Sequence, residues 1–159
     1  MPLAAADKPL AATLNMGIPL YVAKSGDETV NNSAALQNDD HLIVAVEANA
    51  VYECRLHVVY TSNATPGYQM DFTAPAGATL SGWTLLCRVG GVTTAVVATA
   101  AAGSTGLQGT GADVPLDAWG RLVTSSTAGN FQYRWAQSSA NASNTITRSG
   151  SFLVLRRVA

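Results

Sequence analysis

Charge is the first scarcity. Asp, Glu, Lys and Arg make up 12% of the 159 residues and the formal net charge is −1, where about 25% charged residues is usual. Low charge beside abundant Thr, Ser, Ala and Gly suits a plain β-sandwich, and equally a surface covered by other subunits. The nine basic residues are scattered and the only doublet is Arg156-Arg157. Neighbouring side chains of a strand face opposite ways, so no continuous basic surface forms and nucleic acid is not an expected partner. No apolar run approaches the ~18 residues of a membrane span, and no segment repeats with helical spacing. The opening MPLAAADKPLAATLNMG carries Asp7 and Lys8 and has no apolar centre, so it is not read as a secretory signal. The sequons at Asn31, Asn63 and Asn141 then carry little weight.

Catalytic signatures are missing too. The chain has no GxSxG, no HExxH and no phosphate-binding glycine loop. The glycine-rich stretch Gly103–Gly111 lacks the lysine and the strand-to-helix setting that such a loop needs. The two cysteines, Cys54 and Cys87, fall on expected inward faces and read as small buried hydrophobes. Whether they pair stays open, because a disulfide requires Cα atoms within about 7 Å.

What the chain does contain is alternation. In Val51–Tyr60, VYECRLHVVY, the residues Tyr52, Cys54, Leu56, Val58 and Tyr60 share one side and Glu53, Arg55 and His57 the other. A period of two is a strand with one dry and one wet face. Tyr68–Thr73 repeats it with Tyr68, Met70 and Phe72 inward, Thr79–Val89 with Trp83, Leu85, Cys87 and Val89, and the stretch from Phe131 with Tyr133 and Trp135. Shorter strands are expected at Ile18–Ala23, Leu42–Val46, Val92–Thr99, Leu116–Ser125, Thr145–Arg148 and Ser151–Val158. Breaks fall at Glu47–Ala50, Thr61–Gly67, Pro75–Gly77, Gly90-Gly91 and a hairpin-type break at Thr127–Asn130. Lys24–Asp40 reads as a long polar connection, a kind of segment that is usually functional, and Ala100–Pro115 as a floppy loop or weak strand. Short strands spaced by roughly 8–12 residues predict an all-β fold. The expected architecture is an antiparallel two-sheet β-sandwich, jelly-roll-like, of about eight strands over residues 18–159, preceded by an extended N-terminal arm at residues 1–17.

Few residues could carry chemistry. Asn38-Asp39-Asp40-His41 is the one dense polar cluster. It is expected to be a solvated turn at the start of a strand, with Asp and Asn holding backbone N–H groups. Its sharper alternatives are a Zn²⁺ or Ca²⁺ site or the acidic centre of a hydrolase. His57, with Glu53 and Arg55, reads as surface charge, and Asp27-Glu28 has no partner carboxylate that spacing establishes. Trp83, Trp119 and Trp135 could form a sugar-stacking platform, but each lies in an alternating strand, so core packing is expected for all three. The expectation is therefore no catalytic residue, no cofactor and no metal.

Three segments together resemble a family of small proteins and domains of tailed bacteriophages of actinobacteria and related hosts. They are YVAKSGDETVNNSAALQNDDHL (Tyr21–Leu42); VEANAVYECRLHVVY with DFTAPAGATL (Val46–Tyr60 and Asp71–Leu80); and TAGNFQYRWAQSSANASNTITRSGSFLVLRRV (Thr127–Val158). The match departs at Tyr133-Arg134-Trp135, where Leu-Gln-Trp is frequent, and through the Ala/Gly-rich Val92–Asp117. The resemblance implies a non-enzymatic structural protein of the virion. The main expectation is a capsid decoration protein on the particle surface, homotrimeric and held to the major capsid protein by its arm. The alternative is a minor tail or fibre-tip domain that contacts host-surface glycans. A secreted lectin is disfavoured by the opening sequence.

Overall fold

The computed structural model of the chain describes residues 18–89, 92–100 and 104–159. The expected arm and the expected Gly90-Gly91 turn lie outside the described residues. All regular structure among the described residues is β, in two antiparallel sheets.

Eight strands form the body. They are β3 (Gln37–Val46), β4 (Val51–Thr61), β5 (Tyr68–Thr73), β6 (Thr79–Val89), β7 (Val92–Ala100), β8 (Ser104–Leu107), β9 (Asp113–Val123) and β10 (Gly129–Ala136). Their pairing is nested: β3 with β10, β4 with β9, β5 with β8 and β6 with β7. Folding that nested ribbon over gives the sheet orders β3-β10-β5-β8 and β4-β9-β6-β7, which is the double Greek key of a jelly roll. Four further strands extend the larger sheet beyond β4: β1 (Pro19–Ala23), β2 (Glu28–Val30), β11 (Thr145–Thr147) and β12 (Phe152–Arg157). β12 pairs with one half of β4 and β11 with its other end, β1 lies outside β12, and β2 lies outside β11.

The expected sandwich is present, with two differences of detail. Lys24–Asp40 is not a plain connection, because it contains β2 and the first residues of β3. Thr127–Asn130 does not close a hairpin, because β9 and β10 belong to opposite sheets and the chain arches between them. Of the two readings of Ala100–Pro115, floppy loop or weak strand, the strand holds at β8 and at the start of β9.

The core follows the period of two. The small sheet contributes rings: Tyr68, Met70 and Phe72 from β5, and Phe131, Tyr133 and Trp135 from β10, all buried. The large sheet answers with Tyr52, Leu56, Val58 and Tyr60 from β4, Trp83 and Leu85 from β6, and Leu153 and Leu155 from β12. Rings meet across the gap, Tyr60 on Tyr68 at 4.2 Å and Phe72 against Trp83 at 4.8 Å between centroids. Each such side chain contributes roughly 1.5–3 kcal/mol by leaving water. The Tyr68 hydroxyl is satisfied by Tyr133 Oη and Thr147 Oγ1, both at 2.8 Å, so the polar tips cost little. Cys54 and Cys87 are free and buried. Burial pushes the Cys54 thiol up to about 12, as befits an inert core residue.

One packing constraint cannot be read from alternation. Gly120 of β9 sits beneath the indole of Trp83, and a Cβ there would stand 2.5 Å from Trp83 Cγ. Gly120→Ala is expected to lower stability by about 1–3 kcal/mol through overpacking. The measurement is a shift in urea midpoint at unchanged slope; a shift indistinguishable from zero would mean the ring moves freely.

Candidate functional site

The exposed face of the large sheet carries the residues that face away from the core. On β4 these are Glu53, Arg55 and His57, on β9 Asp117, Trp119 and Arg121, and on β12 Phe152, Val154 and Arg156. Register places Arg55 directly beside Trp119, and Glu53 beside Arg121. Trp119 is 42% exposed. It therefore departs from the core packing expected of all three tryptophans, whereas Trp83 and Trp135 are buried. The reason is parity: Val114, Leu116, Ala118 and Leu122 take the inward places of β9, and an odd-numbered residue must face out.

Trp119 stands between two hollows. The larger, about 820 Å³, runs past Arg55, Arg121, Val154 and Arg156. The smaller, about 400 Å³, lies towards Leu86 and Asp117. The larger hollow borders a bulge in β6, where three steps from Ser81 to Thr84 face two on β9 and Gly82 takes φ +61°. Glycine suits that left-handed backbone. The acids of this face are engaged, Glu53 by Arg156 and Asp117 by His57 at 2.9 Å. That leaves Arg55 and Arg121 without an ion pair among the described residues. Phe152 lies under both His57 and Tyr21, at 5.2 and 5.7 Å. An indole edge flanked by unpaired guanidinium groups can stack on a planar or ring-shaped ligand and hold an anionic group.

The same sheet ends in an apolar edge. Beyond Trp119, the exposed large hydrophobic residues among the described ones are Ile18, Leu20 and Tyr21, all at or within β1, where the described chain begins.

The cluster Asn38-Asp39-Asp40-His41 is not the solvated turn its composition suggests. Asn38 and Asp40 are exposed, but Asp39 is completely buried. Here β3 bulges: five steps from Asn38 to Ile43 face two from Arg134 to Gln132 on β10. The Asp39 side chain replaces the lost ladder bonds, its Oδ1 accepting the N–H groups of His41 at 3.0 Å and Leu42 at 2.9 Å. Its Oδ2 accepts from Lys24 Nζ at 2.8 Å, and the same ammonium donates to Glu28 Oε2. Trp135 Nε1 also donates to Glu28 Oε2, at 3.3 Å. Glu28, Asp39 and His41 offer ligand atoms within 4.8 Å of one another, but the Lys24 ammonium occupies the place among the carboxylates that a metal ion would need. Burial holds the Asp39 carboxyl above its ordinary range, with Lys24 pulling the other way. Asp27, named with Glu28 in the sequence, goes elsewhere and accepts from Arg148 at 2.9 Å. Sequence reasoning missed Lys24. Its only signal is one lysine in an otherwise uncharged strand, YVAK, which alternation alone does not distinguish from a solvated end.

Removing the ammonium strands a buried carboxylate. Lys24→Met is expected to cost about 3–5 kcal/mol, measured by chemical denaturation. A loss under half of that would show that Asp39 is held by its backbone donors alone.

No family model matches the chain, and no curated protein is significantly similar to it. Among solved structures, a chain from the structure of infectious bursal disease virus Gt strain is similar at 9% identity over 90% of this chain, with a TM-score of 0.23. This chain covers 42% of that neighbour, and a likeness so loose carries no argument about fold or function.

Proposed function

We propose that this chain is a non-enzymatic structural protein of a tailed-bacteriophage virion, a capsid decoration protein that docks on the major capsid protein. The observation that carries the reading is the position of its exposed hydrophobic residues. Leu20 and Tyr21 lie on β1, an outer strand of the large sheet, and Ile18 just before it, immediately after the segment whose sequence reads as a gripping arm. Main-chain pairing along an arm, with exposed apolar side chains at its base, is a means of docking on a neighbouring subunit. The resemblance of Tyr21–Leu42, Val46–Tyr60, Asp71–Leu80 and Thr127–Val158 to phage virion proteins supports the same reading, as does a jelly roll whose few charges are mostly paired. Fold alone would not carry it. Homotrimers on the particle surface fit the closed symmetry usual for such assemblies.

Deletion of residues 1–17 is expected to leave a cooperatively folding domain that no longer joins particles, read by co-sedimentation with capsids. Normal incorporation of the shortened chain would sink the decoration role.

A second reading, a tail or fibre-tip domain that contacts host-surface glycans, is favoured by one specific observation: Trp119 exposed between Arg55 and Arg121. It predicts that Trp119→Ala changes stability by no more than about 0.5 kcal/mol while reducing retention on host cell walls at least tenfold. Wild-type protein that shows no retention in that pull-down removes this reading and leaves decoration standing.

A further inference from the structure

Lys24, Glu28 and Asp39 meet in a geometry that does more than hold the fold. The Lys24 and Asp39 side chains have no exposed surface, and Glu28 keeps 13%. Lys24 Nζ lies 2.8 Å from Asp39 Oδ2 and also bonds Glu28. The buried Trp135 donates its indole N–H to Glu28 Oε2 at 3.3 Å and stacks with Tyr68 at 5.6 Å. Such surroundings disfavour separated charges. A proton passed from the ammonium to a carboxylate would leave a neutral amine in contact with a neutral carboxylic acid.

We propose that Lys24 and Asp39 become joined by an amide between Nζ and Cγ, formed once within the folded chain, with Glu28 relaying the protons. The two oxygens of Asp39 are already differentiated for this. Oδ1 accepts two backbone N–H groups, from His41 at 3.0 Å and Leu42 at 2.9 Å. Paired N–H donors at that range are the arrangement that holds a developing oxyanion. Oδ2 faces Lys24 and Glu28 and is the oxygen to leave. The neutral Nζ adds its lone pair to Cγ, and the charge collects on Oδ1. Glu28 takes a proton from Nζ and delivers one to the hydroxyl at Oδ2. The Cγ–Oδ2 bond breaks, Oδ1 returns to a carbonyl, and one water departs. An amine and an acid become an amide and water, with no change of oxidation state and no co-reactant. The upward push of burial on the Asp39 carboxyl favours the protonated acid that the step requires. Holding amine and carboxyl in contact supplies the effective concentration that such condensations lack in bulk water.

The product would be a staple between sheets. Lys24 follows β1, an outer strand of the large sheet, and Asp39 lies in β3, an outer strand of the small one.

Mass spectrometry of the intact full-length protein tests this. The expected chain is lighter by one water than its sequence. A protease that cuts after Glu28 should leave the Lys24-containing and Asp39-containing peptides covalently joined, and trypsin should fail to cut after Lys24 in the denatured protein. Glu28→Gln, checked for native circular dichroism, should reduce conversion by about a hundredfold, and Lys24→Arg should abolish it. Folded wild-type protein at its full sequence mass overturns the proposal, and so does a water loss mapped to any other pair. Undiminished conversion in Glu28→Gln overturns the role given to Glu28.

Discussion

A single ammonium, buried out of reach of water, fixes how the two sheets meet along one side. Lys24 directly follows β1, and its backbone is clamped just before β12: its N–H donates to Ser151 O at 2.8 Å and its carbonyl accepts from Gly150 N at 3.0 Å. From that fixed point the side chain crosses to Asp39 on the other sheet and to Glu28 beside it. A buried ion pair is a poor source of net stability, because desolvation offsets most of its attraction. Its value lies in selecting one register. β3 bulges at Asp39, so slippage along β10 would leave a carboxylate, two N–H groups and an ammonium unpaired at once.

Two of the bulges among the described residues serve opposite ends. At Asp39 the irregular backbone turns a charged side chain inward, where its donors wait. In β6 the irregularity at Ser81–Thr84 opens a hollow on the outer face beside Trp119. A third irregularity lies between β5 and β8, where two steps from Tyr68 to Met70 face three from Leu107 to Ser104, and Gly106 there takes φ +75°. Bulges next to functional groups are a recurrent device for re-aiming a side chain.

Much of the body was legible in sequence. The inward sets of β4, β5 and β10 follow from a period of two, and Tyr68–Thr73 and Thr79–Val89 have the bounds that alternation gives them. The same rule applied to β9 would have placed Trp119 outside, since Val114, Leu116 and Ala118 already claim the inward positions; a general preference for burying tryptophan overrode it. The nested pairing was legible only as a fold type, because alternation says which face a residue takes and nothing about which strand lies beside it. Short β2 and β11, three residues each, carry too few positions for any period to register. Asp39 was misjudged for a deeper reason. A carboxylate in a polar run looks solvated unless its lysine is known to arrive, and Lys24 lies fifteen residues away. The partnership is tertiary, even though both residues, with Glu28, belong to the one short segment Tyr21–Leu42.

The outermost strand shows why such an anchor belongs where it is. β1 is thinly covered: none of its five residues is fully buried, Val22 is the least exposed, and Tyr21 is 60% exposed. Its hold on β12 is chiefly the backbone ladder, which water can replace strand by strand, so β1 belongs to the low-stability end of the fold. Any tension on the N-terminal segment would peel β1 first and would then meet Lys24. There the load passes sideways into Asp39 and the small sheet, across the sandwich, and the rest of the large sheet need not unzip. Placing a buried polar lock at the first residue after this thinly covered strand lets β1 fray without making the domain behind it fragile.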